Sequence, residues 1–95
     1  MPQDHQVTIN GTRWLLRFTR LRGGAAGWTY YDPHRPKMLI DETLKENDRM
    51  ETVIHELLHA SLGPTVSEAA VTEAARVIQR TLRRLGYREQ PRRSL

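Results

Sequence analysis

His55 and His59 stand four residues apart around Glu56-Leu57-Leu58, and the three polar side chains of this pentapeptide could together hold and use a metal ion. On a helix advancing about 100° per residue, the two imidazoles lie one turn apart on one side. Both ring nitrogens can then reach a single zinc ion at about 2.0–2.1 Å. Glu56 follows the first of these ligands and projects beside the ion, where its carboxylate can accept a proton from a zinc-bound water. The chain contains no cysteine, so disulfides and thiolate zinc sites are excluded, leaving His, Asp and Glu as the strong ligands.

A zinc that performs chemistry takes three protein ligands and leaves a fourth position for water, so a further donor is expected downstream. With Val71 set at 0°, the apolar residues Val71, Ala74, Ala75, Ile78, Leu82 and Leu85 span an arc of about 300° to 40°, and Glu68 borders it at about 60°. Glu73, at about 200°, shares the outer face with Arg76, Arg80 and Arg84. Glu68 is therefore the favoured third ligand. Glu73 is the alternative, and His34 or His5 would be more distant ones.

The elements that must carry these groups can be read from local pattern. Val7-Thr8-Ile9 and Arg13 to Phe18 flank Asn10-Gly11, a dipeptide suited to a type I′ hairpin turn. Gly23 to Gly27 breaks the pattern, and Trp28 to Tyr31 and Lys37 to Ile40 then form a second hairpin around Asp32-Pro33-His34-Arg35-Pro36. At Asp48, three residues before Glu51, the pattern becomes that of a capped helix. Taking Met50 as 0°, Val53, Ile54, Leu57 and Leu58 fall between about 300° and 80°, while His55, His59 and Glu56 fall near about 140°, 180° and 240°. Gly63-Pro64 stops this helix; Thr65 with Glu68, or Ser67 alone, caps a second one reaching about Leu85, with Gly86 as its C-cap. The expected fold is α+β: a small antiparallel sheet of three or four strands packed on the metal-binding helix and a second, C-terminal helix. Residues 1–87 are expected to form a single domain and 88–95 a basic, frayed tail.

With 95 residues, 38% apolar and 27% charged, the chain suits one small soluble domain and has no apolar run long enough to span a bilayer. Its start, Met1-Pro2-Gln3-Asp4-His5-Gln6, lacks the basic and apolar segments of a secretory signal, so a cytoplasmic location is expected. The net charge of +4 is unevenly distributed: residues 76–95 hold seven Arg against one acid, Glu89. A stripe of Arg76, Arg80 and Arg84 leaves room for a second reading, a zinc-stabilised regulatory or nucleic-acid-binding protein whose metal is structural. Without cysteine there are few ways to close such a structural site. A helix-turn-helix across Ser61 to Ser67 would leave His55, Glu56 and His59 without a purpose.

His55 to His59 resembles the HExxH motif of the zincin metallopeptidases, and Glu68 places the chain nearest their gluzincin type. Glu68-Ala69-Ala70-Val71-Thr72-Glu73-Ala74-Ala75 resembles the Glu-x-x-Ala-Asn-x-x-Ala helix of the ImmA/IrrE peptidases, with Thr72 where that pattern has Asn. The chain is also similar to short HExxH proteins of bacteriophages and prophages. This resemblance implies one Zn2+ held by His55, His59 and Glu68, with Glu56 as general base in hydrolysis of a protein or peptide substrate. It further implies that Lys37 to Asp41 is a sheet edge receiving the substrate as an added strand, and that Tyr30, Tyr31 or His34 serves the developing oxyanion.

Overall fold

A computed structural model describes residues 3–90. The strand β1 (Gln3–Ile9) turns back into β2 (Thr12–Thr19) through Asn10 and Gly11, whose φ angles of 49° and 78° are those the expected I′ turn requires. Along β2, Trp14, Leu16 and Phe18 are buried while the residues between them face the other side, the alternation of a sheet covered on one face. The second hairpin joins β3 (Gly27–Tyr30) to β4 (Lys37–Asp41). In its turn, Asp32 accepts hydrogen bonds from the backbone N–H groups of His34 and Arg35, which hold its carboxyl below the usual range.

The sheet order is β1-β2-β4-β3, with β2 and β4 parallel. The fold is α+β as expected, but the sheet is mixed rather than wholly antiparallel. The cause is which strand of the second hairpin lies inside: β4 inserts between β2 and β3, so it runs in the direction of β2. Its Met38 and Ile40 are fully buried and Leu39 half-buried, a composition suited to a central strand, whereas β3 contributes Gly27 and Thr29 to the covered face. The expectation that Lys37 to Asp41 forms the edge is thereby corrected; the edge beside the helix is β3.

Helix α1 (Glu46–Leu62) crosses the sheet against β3 and β4, completing the core with Ala60, Val53 and Leu57. It starts two residues before the expected Asp48 cap. Lys45 occupies the N-cap position without a side-chain bond, and Glu46 and Asp48 instead place negative charge against the first turn. The helix stops at Gly63, whose φ of 89° suits glycine and whose N–H donates to the His59 carbonyl. Ser67 caps α2 (Glu68–Arg84) by accepting from the Ala70 N–H at 3.0 Å. Helix α2 packs on α1 through a stripe centred on Val71, Ala75 and Gln79. Ile78, expected on that face, is 37% exposed. Beyond α2, Glu89 takes a bidentate contact from Arg49, which also stacks on Phe18; the tail residues 91–95 lie outside the described residues. No helix among the described residues is long and apolar enough to cross a membrane.

Candidate metal centre

Helical periodicity sets His55 above His59, and the Gly63-Pro64 turn returns the chain so that Glu68, the first residue of α2, meets both. The two Nε2 atoms are 3.2 Å apart; Glu68 Oε1 lies 2.7 Å from His55 Nε2 and its Oε2 2.9 Å from His59 Nε2. Two imidazole lone pairs and a carboxylate converging in this way repel unless a proton or cation lies among them. Ligand atoms about 2.0–2.1 Å from a tetrahedral zinc are about 3.3–3.4 Å apart, so the observed spacings lie close to one face of such a polyhedron. The donor set of two imidazoles and a carboxylate suits zinc, and small outward shifts would admit the ion. The triad is open on one side, since the Glu68 side chain is 69% exposed while His55 and His59 are largely covered.

Among the described residues, His55, His59 and Glu68 form the one group of three or more such side chains close enough to share an ion. Glu73, the alternative third ligand, points outward to Arg76 at 3.5 Å. His34 lies in the β3–β4 turn, and His5 stacks edge-on against Phe18. Neither joins the group.

Glu56 is only 6% exposed, and its carboxylate is fixed by β3. Oε1 accepts a hydrogen bond of 2.6 Å from the Thr29 hydroxyl. Oε2 lies over Gly27, where a Cβ would come within 2.9 Å of it. Neither Thr29 nor Gly27 stands out in the sequence as a partner of Glu56. Gly27 ends the Gly23 to Gly27 run that reads as a break between strands, and the group that approaches it comes from a helix far along the chain. Nothing in local spacing pointed to Thr29.

Gly27, Thr29, Tyr31, Glu56, Pro64 and Val66 line, with the triad, a shallow cleft of about 490 Å³. Of the three donors considered for an oxyanion, Tyr31 alone borders it. Its hydroxyl donates to the His59 carbonyl at 3.0 Å, its ring meets Trp14 edge-on, and burial, then the charges of Glu56 and Glu68, raise its pKa above the usual value. Tyr30 sits on the opposite side of β3 with Lys37 over its ring. A larger hollow of about 760 Å³ lies near the start of α1, but its Arg49–Glu89 and Arg83–Glu46 pairs neutralise one another and it holds no comparable ligand group. Compared with known proteins, the chain matches no family model, and no curated protein or solved structure is significantly similar to it.

Proposed function

We propose that this chain is a zinc-dependent peptidase of the gluzincin kind, with His55, His59 and Glu68 as ligands and Glu56 as general base. The observation that carries this reading is the meeting of an open two-histidine, one-carboxylate triad with a separately anchored carboxylate in one cleft beside a sheet edge. Bound there, zinc would supply Lewis-acid polarisation of a peptide carbonyl and lower the pKa of water toward about 7. Glu56 takes the proton from the attacking water and returns it to the leaving amine. Thr29 and Gly27 fix the carboxylate for that exchange, the first by donating to it and the second by giving it room. Tyr31, kept neutral, borders the cleft, and donating to a developing negative charge would require its hydroxyl to turn away from the His59 carbonyl.

The edge of β3 supports a peptide substrate. Asp41 N–H bonds to the Ala26 carbonyl, and in the alternating antiparallel register this turns the backbone groups of Gly27 and Thr29 away from β4. An extended peptide can pair with those groups as an added strand, bringing its backbone alongside Glu56.

Replacing Glu56 by Gln keeps the shape and removes the base. The zinc-loaded variant is expected to retain its metal, measured by elemental analysis, and to cleave a peptide library at least about 100-fold more slowly than the parent. Equal cleavage by both proteins would exclude Glu56 as the base.

A further inference from the structure

The cleft continues past Glu56 toward the start of α1. A second hollow, of about 240 Å³, shares Gly27, His55 and Glu56 with the first and adds Ala25, Glu51 and Thr52. Glu51 precedes His55 by one helical turn, so Glu51, His55 and His59 form a single stripe along α1. Its side chain is half-buried, yet among the described residues its carboxylate makes no ion pair or hydrogen bond. A partly desolvated carboxylate without a cation gains from a positive group entering the hollow. The opposite end of the joined groove is apolar, bordered by Tyr31, Pro64 and Val66.

Resting on the peptidase reading, we propose that Glu51 makes the substrate a peptide with Lys or Arg on the C-terminal side of the cleaved bond. The direction follows from strand pairing. A peptide added antiparallel to β3 continues the register that β3 already makes with β4. Its N-terminal half then lies by Thr29 and Tyr31, and its C-terminal half by Ala25 and Gly27, beside Glu51. Alternate side chains of the added strand point to the face that Gly27 and Thr29 share with α1, so a basic residue there extends along the stripe toward Glu51. Arginine suits the site best because its planar fork can engage both carboxylate oxygens.

The test measures preference rather than rate alone. The zinc-loaded full chain is given a peptide library and its cut sites are read by mass spectrometry. In parallel, the Glu56→Gln protein is titrated with fluorescent peptides that differ only in Arg or Glu at one position. The parent is expected to favour Arg or Lys C-terminal to the cut by about tenfold. Glu51→Gln should bring the ratio close to one, and Glu51→Lys should reverse it. A parent without basic preference, or one whose preference survives Glu51→Gln, overturns the proposal. If the parent cleaves nothing, the peptidase reading fails separately and binding decides for Glu51: Arg-peptide affinity lost in Glu51→Gln supports it, and equal affinity for the Arg and Glu peptides overturns it.

Discussion

The carboxylate of Glu56 is useful only where it is held, and the smallest residue of the cleft decides that position. Adding a methyl group at Gly27 would crowd Glu56 Oε2, Glu56 Cγ and the Leu39 carbonyl, all at 3.0 Å or less. Gly27→Ala is expected to cost about 1–3 kcal/mol in chemical denaturation and, if the proposed peptidase activity holds, to slow cleavage by about 100-fold through displacement of Glu56. Zinc affinity should be retained, because the ligands lie on the helices; loss of metal together with activity would show a wider collapse. Glu68→Ala should weaken zinc binding by more than about tenfold in a competition assay. Glu73→Ala should leave it unchanged, and a matching loss there would reassign the third ligand.

At the level of elements, Ser67 links capping to ligation, since the residue that starts α2 immediately precedes Glu68. Ser67→Ala is expected to lower stability by about 1 kcal/mol in urea unfolding, with Ser67→Gly costing less; an unaffected midpoint would show that the cap contributes nothing. Such local features were legible in the sequence. The Asn10-Gly11 turn, the helix break at Gly63-Pro64, the Ser67 cap and the placement of Glu68 all depend on neighbours along the chain. What was not legible depends on pairing at a distance. Met38, Leu39 and Ile40 suit a covered strand, but which strands flank it is decided by competition with β3 for the inner position. Thr29 and Gly27 acquire their roles through that order, because the outer strand is the one set beside Glu56. Helical angles placed Glu56 off the apolar arc, yet the sheet covers it by reaching around α1 with β3.

Across the whole molecule, zinc would join two helices of which α2 makes its principal contacts with α1. At about 100 times its dissociation constant, a ligand that binds only the folded state adds about 2.7 kcal/mol. In a domain of this size, that corresponds to a rise in Tm of roughly 10–20 °C. Chelation should reverse the rise, and Glu68→Ala should largely remove it; a Tm indifferent to zinc in the parent would argue against a metal centre. The brief link 63–67 between the helices has a further consequence. An ion bridging His59 and Glu68 closes a ring of only about nine residues, so little chain entropy is at stake in its capture. With zinc bound, the two helices would act as the arms of a chelator whose effective concentration is set by that link, whereas the proposed proton-transferring group, Glu56, is held by the sheet. On the proposed reading, metal capture and turnover would be governed by different joints of the same chain, so that changing the length of the link is expected to alter zinc affinity more than the hold on Glu56.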